Sequence, residues 1–146
     1  MKSKHAIIAL VVLVFALLLA ACGGASSGKD ASGGNSFEVS VKDELTFQPN
    51  ALTVKAGDEV TITFKNTGTV PHSFAILKKG VLPEDVVGAG EEAGHEMLVM
   101  EMHELAAGES STETFTAPSE PGDYMFICTV PGHAQAGMVG SLTVTQ

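Results

Sequence analysis

The sequence predicts an all-β domain, an antiparallel sandwich or barrel that carries one irregular acidic excursion. Three observations predict it. Six runs alternate apolar and polar residues at period two and are rich in Val, Ile, Thr, Phe and Tyr. Gly, Pro, Asn or Asp bound these runs. The runs are spread over residues 37–146, a length that suits one domain with its own core.

In chain order, "FEVSVKD" places Phe37, Val39 and Val41 on one side. "DEVTITFKN" does the same with Val60, Ile62 and Phe64, between Gly57-Asp58 and the turn Asn66-Thr67-Gly68. "HSFAIL" aligns His72, Phe74 and Ile76. "STETFTAP" alternates Thr114 and Thr116 against Phe115. "GDYMFIC" aligns Tyr124, Phe126 and Cys128, and "VGSLTVTQ" closes with Leu142 and Val144. The segment from Pro83 to Leu105 breaks the pattern with seven acids and no lysine. Its first half reads as an exposed excursion, helical or irregular. Its second half, "HEMLVMEMHEL", reads as a strand, with a short helix as the alternative.

The N-terminus has a different character. Lys2 and Lys4 precede an unbroken apolar run from Ala6 to Leu19, too short for a typical spanning helix but suited to a secretory signal. "LAAC" ends it and resembles the lipobox of bacterial lipoproteins, in which the cysteine, here Cys22, becomes the lipid-modified first residue. The alternative is an ordinary signal peptide with an idle cysteine. "GGASSGKDASGGNS" follows, a composition that makes a flexible tether. The expected organisation is therefore a lipoprotein signal over residues 1–21, a lipidated Cys22 with its tether over 22–36, and the folded domain over 37–146. Without Lys2 and Lys4 the chain keeps 6 lysines, no arginine and 17 acids. Nucleic acid is excluded as a partner by that balance. A cationic protein partner, or plain solubility, accounts for it.

Cys128 is left without an internal disulfide partner once Cys22 is lipidated, which is unusual in an exported protein. His72 begins one strand and Cys128 ends another. If their shared faces form the core, an imidazole and a thiol meet at one end of the sandwich. "CTVPGHAQAGM" can fold back there through Pro131-Gly132 and bring His133 and Met138, with Gly137 and Gly140 allowing close backbone approach. Taken singly, a core methionine, a loop histidine and a buried apolar cysteine are ordinary. Together, two imidazoles, a thiol and a thioether form a soft-to-intermediate donor set associated with blue-copper electron transfer. Zinc accepts His₂Cys but does not select a thioether, and iron–sulfur clusters need more cysteines.

At these residues the chain resembles the cupredoxins, the small blue copper proteins of the plastocyanin/azurin superfamily. "VKDELTFQPNALTVKAGDEVTITFKNTGTVPHSFAIL" and "AAGESSTETFTAPSEPGDYMFICTVPGHAQAGMVGSLTV" carry the resemblance. Four residues separate Cys128 from His133, and four separate His133 from Met138, a spacing similar to that of the auracyanin subfamily. The resemblance implies a Greek-key β-sandwich of about seven or eight strands. It implies one type 1 copper cycling between Cu(I) and Cu(II), with His72 and His133 as equatorial nitrogens, Cys128 as thiolate and Met138 as long axial ligand. It places Ser73 and Thr129 around those ligands, although many relatives have Asn where this chain has Ser73. It also implies an electron path through His133, within a small apolar patch of Pro71, Pro131, Ala134, Ala136 and the loop near Pro49, because Ile127 stands where plastocyanins have Tyr.

The expected function is single-electron transfer between membrane or soluble redox proteins, by a membrane-tethered monomer that is not an enzyme. It is expected outside the cytoplasmic membrane, lipid-anchored or periplasmic. The 83–105 acids either steer a cationic partner or form a solvated face. Copper storage or delivery is the alternative, with Met97, Met100, Met102 and His103 as soft ligands. A multicopper oxidase needs paired histidines beyond the set, and His5, His95 and His103 do not supply them.

Overall fold

The computed structural model describes residues 35–146. The expected signal peptide, Cys22 and nearly all of the tether lie outside the described residues. In chain order, β1 (Ser36–Val41), β2 (Phe47–Gln48), β3 (Ala51–Lys55), β4 (Glu59–Asn66) and β5 (His72–Leu77) precede α1 (Pro83–Ala89) and α2 (Glu91–His95). β6 (Leu98–Leu105), β7 (Ser110–Thr116), β8 (Gly122–Ile127) and β9 (Val139–Thr145) follow. Two sheets result, ordered β2-β1-β4-β7 and β3-β9-β8-β5-β6.

The alternating runs all become strands, and so does the segment after Met97. Two strands were not expected. β2 has only two residues, and Pro49-Asn50 interrupts the alternation that would join Phe47 to Leu52 and Val54 in β3. The expected sandwich forms, but two of its neighbouring strand pairs run parallel rather than antiparallel. β1 pairs with β4 in parallel, Val39 opposite Phe64, and β3 pairs with β9 in parallel, Val54 opposite Val144. Parallel neighbours need a crossover, and the chain makes one by placing β3 in the second sheet between β1 and β4.

The core fills the space between the sheets. Val39, Val60, Ile62 and Phe64 of one sheet and Phe74, Ile76, Phe126 and Leu142 of the other are almost completely buried. Phe47 wedges between them, with its ring centroid 5.6 Å from Phe74 and 5.1 Å from Phe126, both edge-on. Gly140 makes this packing possible: a Cβ there would lie 2.2 Å from the Phe126 ring. On the outer face of the first sheet, Thr61 and Thr63 share hydroxyl hydrogen bonds of 3.0 Å with Thr114 and Thr112. These cross-strand pairs account for the threonine content of both runs.

The acidic excursion is better ordered than expected. Pro83 starts α1, and the Asp85 carboxylate accepts the Leu82 N–H at 3.0 Å. The helix is not a free appendage. Val86 is buried and joins Ala75, Leu77 and Ile127 in a second apolar cluster on the outer face of the second sheet. This is why every residue of β5 is buried, on both faces.

Strand directions define two ends. Asn66, His72, Ile127 and Val139 lie at one, through the pairs Val41–Asn66, His72–Leu105 and Ile127–Val139. The start of β1 lies at the other. There the Asn35 carbonyl accepts the Thr61 N–H at 2.6 Å and its side chain donates to Asp58 at 3.1 Å.

Candidate metal centre

His72 is delivered by a short loop after β4, and that loop is pinned from within. Asn66 is a polar residue at a buried position of the Val60-Ile62-Phe64 face. Its Nδ2 donates to the Val70 and Leu105 carbonyls at 2.8 and 3.0 Å, and its Oδ1 accepts the Gly68 N–H at 3.0 Å. Asp43 grips the same loop from outside, accepting from Thr69 N–H at 2.6 Å and Thr69 O–H at 3.1 Å. These bonds hold the Asp43 carboxyl below the usual carboxylate range. Sequence reading treated Asn66 as a turn residue. Its position in the buried register was the available signal.

Cys128 follows β8 and is wholly buried, with no disulfide partner among the described residues. The loop beyond it is closed by backbone bonds. Met138 N–H donates to His133 O at 3.0 Å, and Cys128 N–H donates to Met138 O at 3.3 Å. Gly137 has φ 98°, which a side-chain-bearing residue adopts only with strain. Of the two glycines expected to permit close approach, Gly140 meets that need and Gly137 instead permits the turn.

Three of the expected residues meet. The ligand atoms of His72, Cys128 and His133 lie within 4.8 Å of one another. Cys128 Sγ is 3.4 Å from His133 Nδ1, and the two imidazole centroids are 4.9 Å apart. Met138 is buried at the base of the same loop. Neither ring nitrogen of His72 has a hydrogen-bond partner, although both are buried. Buried imidazoles are ordinarily bonded, so this orphaned pair needs another partner. Burial first, and the neighbouring His133 second, push the His72 pKa below its ordinary value, which favours the neutral, metal-binding form. Metal–ligand bonds of about 2.0–2.3 Å at open angles separate donor atoms by roughly 3.5 Å, close to the Cys128–His133 spacing. The group fits one type 1 copper.

Ser73 ties the two ligand-bearing segments together. Its Oγ accepts the Thr129 N–H at 2.7 Å and lies 2.8 Å from the Thr129 hydroxyl. Toward the sulfur, Ser73 N–H donates at 3.4 Å and Ser73 O–H at 3.6 Å.

At the surface, Pro71, Pro131 and Ala136 are exposed and His133 is half-buried, and exposed Val70 extends this apolar end. Ala134 departs from the expected patch. It is buried against Ala75, Leu77 and Ile127, because the loop turns it inward beneath α1. The methionines in and just before β6 are occupied by packing: Met102 is in the main core, Met100 packs against it, and Met97 packs against the second cluster.

Residues 35–145 match the family described as copper binding proteins, plastocyanin/azurin family. Auracyanin-A of Chloroflexus aurantiacus is 39% identical over 152 aligned residues, covering 92% of this chain and 93% of that one. Plastocyanin of Hordeum vulgare is 41% identical over 100 residues, covering 68% of this chain and 55% of that one. Among solved structures, dithionite-reduced auracyanin of Roseiflexus castenholzii superposes with a TM-score of 0.68 at 34% identity, covering 78% of this chain and 99% of that one. The fold, the His-Cys-His group and these likenesses agree: the chain belongs to the plastocyanin/azurin family of blue copper proteins.

Proposed function

We propose that this cupredoxin is a membrane-tethered carrier of single electrons between redox proteins, with its copper held by His72, Cys128, His133 and Met138. The observation that carries the reading is the buried His72–Cys128–His133 group, in which His72 has both nitrogens unpartnered. Copper bound there supplies a one-electron Cu(I)/Cu(II) couple. The chain supplies rigidity. Asn66 fixes the approach to His72, the Met138–His133 and Cys128–Met138 backbone bonds fix the loop, and Ser73 locks the two together. A site held this firmly rearranges little between oxidation states, which suits a carrier rather than an enzyme or a copper donor.

His133 is the route in and out. His72, Cys128 and Met138 are fully buried, whereas His133 reaches the surface between exposed Pro131 and Ala136. Ile127 is fully buried and offers no lateral exit. Glu84, Asp85, Glu91 and Glu92 at the starts of the two helices give a cationic partner a face to recognise. Lipidation of Cys22 would keep an exported carrier beside membrane donors and acceptors. Among the described residues, no helix is long and apolar enough to cross a membrane.

Copper loading followed by visible absorption and EPR tests the reading. The expected result is an intense thiolate-to-copper band that Cys128→Ser abolishes. A colourless Cu(II) adduct, or preference for zinc with no such band, sinks it. Labelling with radioactive fatty acid, lost in Cys22→Ala, tests the anchor.

A further inference from the structure

We propose that His95, Glu101 and His103 form a second metal site, for a zinc-type divalent ion, on the outer face of the second sheet. Strand register puts two of them there. Ala75 lies opposite Glu101 and Phe74 opposite Met102. Met102 points into the core, so Glu101 and His103, on either side of it, project outward together. α2 ends on His95, directly above them. His95 Nδ1 lies 2.7 Å from Glu101 Oε2. That contact is short but badly directed, so the buried Oε2 is left without a hydrogen bond. An unsatisfied buried carboxylate oxygen is costly and calls for a cation.

His103 lines the same groove as these two but stands farther off, with its ring centroid 6.3 Å from that of His95 at an interplanar angle of 70°, and the three ligand atoms do not all lie within 4.8 Å of one another as those of the copper site do. Two imidazoles on one tetrahedral ion have centroids about 5 Å apart. Closure by about 1 Å is a side-chain rotation, and the 45% exposed His95 side chain has the room. Glu91 and Glu104 line the same groove and add negative charge. Two imidazoles and a carboxylate, with no sulfur, suit Zn(II) and its neighbours and not Cu(I). Thr129, Val130 and Pro131 also line this groove, so the ion would lie beside the loop that carries Cys128 and His133.

The test is calorimetric titration of zinc chloride into the copper-loaded full chain, with the visible spectrum followed in parallel. Zinc is expected to bind at about one equivalent while the copper band persists. His103→Ala and Glu101→Gln should each weaken binding by at least about tenfold. An unchanged band in these variants shows that they fold. Absence of zinc binding overturns the proposal, as does undiminished binding in the His95→Ala/His103→Ala double variant. Zinc uptake only by displacement of copper overturns it too. If the chain fails to take up copper, the same titration of a Cys128→Ser/His72→Ala/His133→Ala variant, in which the first site has lost its imidazoles and thiol, reads the second site alone.

Discussion

The backbone N–H of Thr129 donates to the hydroxyl of Ser73 at 2.7 Å, across 56 positions of sequence. One small side chain thus joins the residue after His72 to the residue after Cys128. The same hydroxyl and its own backbone N–H also donate toward the Cys128 sulfur. Hydrogen bonds to a thiolate draw charge from it and favour the reduced metal. Ser73→Ala is therefore expected to lower the reduction potential. Loss of about 1 kcal/mol of differential stabilisation corresponds to roughly 40 mV for one electron. The orphaned Thr129 N–H should also cost about 1–3 kcal/mol of stability. Voltammetry and urea unfolding separate the two effects, and an unchanged potential removes Ser73 from the tuning of the thiolate.

Met138 tests the axial assignment. Replacement by Leu keeps volume and burial but removes the thioether. The blue band should survive, since Cys128 and both histidines remain, and the potential should rise as the weak donor to the oxidised metal is lost. Spectroelectrochemistry reads both, and a wild-type potential refutes the axial role.

Asn66 is buried with its donors on two carbonyls and its acceptor on a backbone N–H. Asn66→Ala strands those partners in the interior and should cost about 2–4 kcal/mol. Because the bonds set the course of the chain into His72, copper should also leave faster. Denaturant midpoints and the rate of copper capture by a chelator measure the two. A stable variant with normal retention would show the loop to be fixed by other contacts.

Asp43 makes the acid limb of stability testable. Its folded pKa is depressed because it accepts from Thr69. Its stabilisation is therefore fully present above the ordinary carboxylate value and lost as pH falls through the lower folded value. Asp43→Asn keeps an acceptor for Thr69 but cannot titrate. The variant should be slightly less stable at neutral pH, with a shallower decline below pH of about 4. Thermal midpoints measured from neutral to acid pH decide it, and parallel curves for the two proteins would refute it.

Alternation made the strands legible because Val39, Ile62, Phe74 and Tyr124 each follow a polar neighbour and each end in the core. The meeting of His72, Cys128 and His133 was legible because those side chains are chemically rare in combination. Alternation is silent on strand direction, so the β1–β4 and β3–β9 pairs were invisible to it. Pro49 masked β2 and β3 by splitting one pattern into two fragments too short to read. Ala134 sits in an aperiodic turn, where no rule separates inward from outward. Asn66 and Asp43 act through loops that only the folded chain brings to them.

The place where Asn35 joins β1 has a mechanical consequence for the proposed anchor. Asn35 enters at the end of the sandwich remote from His133, level with Val60 and six residues of β4 from the Asn66 end. At about 3.3 Å per residue, that separation is roughly 20 Å. Were the proposed lipid at Cys22 to hold it from its N-terminal side, the domain would present its copper-binding tip outermost, like a pendant. Swivelling about its suspension, with no change of internal shape, would let one tip visit a donor and then an acceptor.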